Sequence, residues 1–128
     1  MIPRWRAWTW YASYRGQTGQ WAQLLHRVTG LGVVLFLLLH IVDTWLIGWG
    51  PEPYDTLVAI YHLPPVRVIQ VLLGGAVLFH AINGIRVTVI DFWPKASLHQ
   101  ERLFWGAMAI FLLLFLPAAY VMVAPIFQ

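Results

Sequence analysis

The chain alternates between three long apolar stretches and short runs of turn-forming or polar residues. In the first stretch, residues 30–39 are apolar without interruption, followed by His40, Asp43 and further apolar residues to Trp49. This predicts a helix over 21–49, longer than the roughly 20 residues that cross a bilayer. Gly50-Pro51-Glu52-Pro53 ends it by turn chemistry, and 54–62 predicts a short amphipathic helix on the membrane surface. Pro64-Pro65 sets the start of a second helix over 66–91, closed by Phe92-Trp93-Pro94-Lys95. A polar connection carrying His99, Glu101 and Arg102 leads to a third helix over 103–124, which has no charged residue and is predicted to kink at Pro117. The fold expected is all-α and integral to the membrane, with three transmembrane helices in one domain over residues 1–128.

Composition agrees with the pattern. Of 128 residues, 60% are hydrophobic and 10% charged, against about 25% charged in a soluble domain. The chain has no cysteine, which excludes a disulfide framework, a thiolate zinc site and an iron–sulfur cluster ligated by this chain. The net charge of +3 does not indicate nucleic acid, because the basic residues cluster at the predicted membrane borders. In segment 1–20, Arg4, Arg6 and Arg15 stand among Trp5, Trp8, Trp10, Tyr11 and Tyr14. No apolar run follows these arginines, so the segment reads as interfacial and not as a cleavable signal peptide.

The distribution of Lys and Arg predicts the orientation. Arg4, Arg6, Arg15 and Arg27 precede or open the first helix, and Arg86, Lys95 and Arg102 flank the second loop. The first loop has Arg67 beside Glu52 and Asp55. The N-terminus and second loop are therefore expected in the cytoplasm, with His40 and His80 nearer mid-membrane on neighbouring antiparallel helices.

The chemistry concentrates in residues 80–91, H-A-I-N-G-I-R-V-T-V-I-D. On a helix, His80, Gly84, Val87 and Asp91 fall on one face. Gly84 opens a groove beside His80 in which a flat ligand or a second helix fits. On the first helix His26 and His40 share a face about 21 Å apart along the axis. Imidazoles inside a membrane are functional candidates. Haem ligation suits them. Zinc suits them less, since no His lies at i+3 or i+4 from either His40 or His80. A proton relay, or an imidazole bonded to a neighbouring helix without a cofactor, remains an alternative.

H-R-V-T-G at 26–30 and H-x3-G-I-R at 80–86 with a later Asp91 resemble the cytochrome b membrane subunit of succinate dehydrogenase. L-H-I-V-D at 39–43, P-E-P-Y at 51–54 and F-H-A-I-N-G-I-R at 79–86 are similar to its actinobacterial and thermophile branch. The resemblance implies a multi-subunit helix bundle in the bacterial inner membrane, with His80 as an axial ligand of haem b. It implies His26, Arg27 and Gly84 around the haem, and Gln23 and Arg27 at a quinone site. It makes His40 a candidate ligand of a second haem b. The partners implied are a flavoprotein subunit, an iron–sulfur subunit and a second membrane anchor, with membrane lipid and a higher oligomer of the whole complex. Gln23 replaces a serine common in the family, and Val87 replaces a frequent second His. The rivals are a haem-free anchor, a quinol:fumarate reductase anchor, and a small transporter, against which the missing internal repeat weighs.

Overall fold

In the computed structural model, which describes residues 18–128, four α-helices follow in order: α1, Thr18–Ile47; α2, Pro51–Tyr61; α3, Pro64–Phe92; and α4, Gln100–Val123. Short 3-10 turns at Pro94–His99 and Ala124–Ile126 flank α4. Among the described residues, three segments, Thr18–Ile47, Pro64–Phe92 and Pro94–Ile126, are long and apolar enough to cross a membrane. The interfacial segment expected over 1–20 lies outside the described residues, except for 18–20, which belong to α1. Arg4, Arg6 and Arg15 lie outside them too.

Backbone chemistry sets the boundaries. α1 unwinds through i−3 bonds, with the amides of Gly48, Trp49 and Gly50 reaching the carbonyls of Trp45, Leu46 and Ile47 at 3.1, 3.0 and 3.3 Å. Gly50 then turns the chain at φ 104°, a conformation that glycine adopts without steric cost. The helix α2 begins at once, at Pro51. This corrects the expectation that Gly50–Pro53 forms a turn: proline in a first helical turn lacks only an N–H that has no partner there. Leu63 and Trp93 each precede a proline and are driven out of the helical region, with ψ 135° and 88°. They mark the two ends of α3. Pro117 lies inside α4, which continues through it to Val123.

α3 is the central helix, packed between α1 and α4, and α1 meets α4 less extensively. Small residues let the helices approach. A Cβ at Gly32 would stand 3.0 Å from the Cβ of Ala76, and one at Gly75 would stand 2.9 Å from the Phe115 ring. Between α3 and α4, Phe79 meets Phe111 edge-on with centroids 5.8 Å apart, and Phe111 stacks on Phe115. Burial is inverted relative to a water-soluble bundle. Asn83 and Arg86 are among the few enclosed side chains, with 2% and 8% exposure, while Leu31 and Leu113 are exposed. The apolar residues face outward, to lipid or to other subunits.

Candidate functional site

Gln23, His26 and Arg27 recur at i, i+3 and i+4 on the first third of α1, which puts them on one face. Opposite them α3 presents Asn83, Arg86, Val87 and Asp91, and Gln100 opens α4. These residues line a cleft of about 420 Å³. The residues expected at the haem and quinone positions thus converge at one end of the bundle, with His80 at the inner end of the same α1–α3 seam.

The two histidines of the seam meet directly. The rings of His26 and His80 stack with centroids 3.9 Å apart and planes 9° from parallel. His80 Nδ1 lies 3.1 Å from the His26 backbone carbonyl. A carbonyl only accepts, so Nδ1 carries the hydrogen and donates it. The lone pair is then on Nε2, which makes no hydrogen bond to a described residue. Thr29 Oγ1, itself bonded to the Leu25 carbonyl at 2.7 Å, sits 3.5 Å from the same Nδ1. The imidazole is thereby held in one tautomer and one orientation by the backbone of α1.

Two glycines make room for this pair. A Cβ at Gly30 would lie 3.3 Å from His80 Cε1, tighter than an ordinary contact. A Cβ at Gly84 would lie 3.6 Å from His26 Cε1. The neighbour that Gly84 faces within this chain is therefore the His26 ring, and the tighter of the two positions against His80 is Gly30.

His40 lies apart. It is exposed and stacks on Phe36 with centroids 5.7 Å apart. It lines a second cleft of about 310 Å³ with Asp43, Tyr61, Gln70 and Met122. His80 packs beside Gly30, and His40 is ten residues further along α1, a rise of about 15 Å. The two imidazoles are therefore not at similar depth. In the second cleft the Tyr61 hydroxyl donates to Asp43 Oδ1 at 2.5 Å, tying α2 to α1. Burial, with the Asp43 carboxylate beside it, pushes the Tyr61 phenol up to about 12.

Asn83 and Arg86 were given no place in the site from sequence, although Arg86 closes the H-x3-G-I-R stretch and, as a cation inside an apolar helix, is a functional candidate. Arg86 Nη1 donates to Asn83 Oδ1 at 3.4 Å, and Nη2 donates to the Gln100 carbonyl at 3.3 Å. The guanidinium carbon lies 5.7 Å from the centroid of Phe104. Three buried polar atoms, His26 Nδ1, Asn83 Nδ2 and Arg86 Nε, have no hydrogen-bond partner among the described residues. A polar pair at i, i+3 within an apolar helix was the available signal.

The profile of the succinate dehydrogenase/fumarate reductase transmembrane subunit matches residues 3–118. The chain is 40% identical over 108 residues to succinate dehydrogenase 2 membrane subunit SdhC of Mycobacterium tuberculosis, covering 84% of this chain and 79% of that one. It is 33% identical over 93 residues to the succinate dehydrogenase hydrophobic membrane anchor subunit of Halobacterium salinarum, covering 72% and 71%. With its three apolar helices, the chain belongs to the succinate dehydrogenase/fumarate reductase transmembrane subunit family, as a multi-pass membrane anchor of succinate dehydrogenase.

Proposed function

We propose that this anchor binds haem b and helps form the quinone-reduction site of a succinate:quinone oxidoreductase in the bacterial inner membrane. The observation that carries the reading is the state of His80: Nδ1 bonded to the His26 carbonyl, with Nε2 left as a free lone pair in an apolar helix. A hydrogen bond at the distal ring nitrogen is the support that metal-ligating histidines require. The stacked ring of His26 covers the face of His80, whereas the Nε2 lone pair lies in the ring plane, so the stack leaves it open. The donor set therefore fits a haem iron. Face-to-face rings at 3.9 Å cannot both turn a ring nitrogen to one metal ion. His26 is thus no second ligand of the same iron, and the opposite ligand comes from the second anchor subunit.

Bound haem would supply a one-electron couple inside the membrane. His26, Arg27 and Gly84 would surround it, the first two meeting its carboxylates. Gln23 and Arg27, one turn apart and both exposed in the cleft, would receive the quinone headgroup. Arg27 would donate to a quinone carbonyl and stabilise the negative charge that develops there. With the N-terminus in the cytoplasm, as the Lys and Arg distribution indicates, protons enter from that side. The flavoprotein and iron–sulfur subunits dock there, and succinate is oxidised in them. His40 is the second reading's ligand: its own cleft lies about 15 Å along α1 from the level of His80, so a second haem b held there would not crowd the first.

The test is a reduced-minus-oxidised spectrum of the purified complex with haem quantitation. A low-spin, bis-histidine b-type signal is expected, abolished or made high-spin by His80→Leu. Full low-spin haem in that variant would refute the assignment of His80. His40→Leu removes one of two haems if the second reading holds and leaves the haem content unchanged if it does not.

A further inference from the structure

We propose that Arg86 is a positioning residue for electron transfer, a fixed positive charge that favours the reduced form of haem bound in the adjacent seam. This rests on the haem-binding reading above. Arg86 is more than nine-tenths buried in an apolar helix, where a cation is costly unless it is compensated. Its partners compensate it only in part. The Asn83 amide oxygen, the Gln100 carbonyl and the Phe104 ring are all neutral. The chain has five acidic residues, and none of them forms a hydrogen bond or ion pair with Arg86. Asp91 lines the same cleft but is exposed to solvent.

The surroundings keep this charge in place and leave it positive. Asn83 turns its oxygen to the guanidinium, so its amide hydrogens and the Arg86 Nε–H are both buried donors without an acceptor among the described residues. Gln100, whose carbonyl receives Arg86, has its side-chain oxygen against α1 at Gly19, 3.1 Å from where a Cβ would be. The guanidinium is thus held by α4 and by its own helix. Arg27, by contrast, is exposed on this chain, so its own helices do not fix its position as they fix that of Arg86. The couple that Arg86 would bias is ferric haem plus one electron giving ferrous haem, with the electron supplied in the experiment by dithionite. Six residues separate Arg86 from His80, a rise of about 9 Å. At about that range, with an effective dielectric constant of about 20, one charge shifts a one-electron equilibrium by roughly twentyfold.

The experiment is a spectroelectrochemical titration of the purified complex carrying Arg86→Met or Arg86→Lys. Arg86→Met, which keeps an unbranched stem and removes the charge, is expected to lower the ferrous-to-ferric ratio at fixed poise about twentyfold, a midpoint lower by about 77 mV. Arg86→Lys is expected to match wild type near neutral pH. It should then lose reduced haem at alkaline pH as the ammonium deprotonates, a wave absent with arginine. His26, Arg27 and Asp91, the other titratable groups on the cleft, are common to all three proteins, and α4 contributes only the neutral Gln100. If Arg86→Met does not assemble, the alkaline wave of Arg86→Lys decides. Full haem with an unmoved potential in Arg86→Met, or no wave in Arg86→Lys, overturns the proposal and leaves Arg86 as a clamp between α3 and α4. A wild-type complex without haem overturns the haem-binding reading itself.

Discussion

Gly30→Val tests whether the α1–α3 seam is built around the His80 imidazole. A Cβ at this position stands 3.3 Å from His80 Cε1 and 3.6 Å from Nδ1. Alanine asks the ring to give by a few tenths of an ångström. Valine adds two methyl groups to a Cβ already this close, and the imidazole is expected to swing away from the His26 carbonyl that it reaches at 3.1 Å. Overpacking costs about 1–3 kcal/mol, and the lost hydrogen bond about 0.5–1.5 kcal/mol. If the chain binds haem as proposed, together they are expected to weaken its retention by about 2–4 kcal/mol, between one and three orders of magnitude. Membrane insertion is unaffected, because valine is favourable in lipid. The assay is haem per purified complex with the Soret position, for Gly30→Ala and Gly30→Val side by side. Alanine is expected to lose less than about tenfold. A valine variant with full haem and an unchanged spectrum would show that nothing of consequence depends on where this ring sits.

Two further predictions concern the ends of the bundle. Arg27→Leu is expected to lower quinone reduction while succinate oxidation with an artificial dye acceptor survives; equal loss of both would mean an assembly defect, and retention of both would remove Arg27 from the quinone site. Tyr61→Phe is expected to loosen α2, read as faster amide exchange over Pro51–Tyr61, because a hydrogen bond to a charged acceptor is worth about 1.5–3 kcal/mol. The same tether carries a pH signature. The Tyr61 phenol is raised from 10 to about 12 in the folded chain, so its contribution is complete below pH 10 and is lost as pH rises through 12. Protection of α2 in wild type that stays level across this window would disprove the tether.

The three spans were legible because lipid imposes one rule along the whole chain: about 20 apolar residues with their backbone bonded internally. The observed helices begin up to three residues before the expected ones and end within two of them. The start of α2 was missed because Pro51 and Pro53 read as breakers, although proline is at home in a first turn. Within a helix, spacing was a sound guide, and it put Gln23, His26 and Arg27 on one face. Between helices it had no purchase. The stack of His26 on His80, and the different depth of His40, depend on how far α1 slides along α3. The close approach where Gly32 meets Ala76 belongs to that register, and it joins two residues of no distinctive chemistry. Asn83 was given no role, although it stands within F-H-A-I-N-G-I-R, because its meaning comes from the guanidinium one turn away.

The enclosure of Asn83 and Arg86 bears on what makes these helices associate at all. A bilayer dissolves an apolar helix about as well as another apolar helix does, so leucine contacts give little net drive to pair. What hydrocarbon dissolves poorly is an amide and a guanidinium. Alone in lipid, α3 would hold both against acyl chains or drag water inward to reach them. Beside α4, Arg86 finds the Gln100 carbonyl and the face of Phe104. The residues least welcome in the membrane thereby become its adhesive: with leucine at both positions α3 would insert more readily and have less reason to find its neighbour.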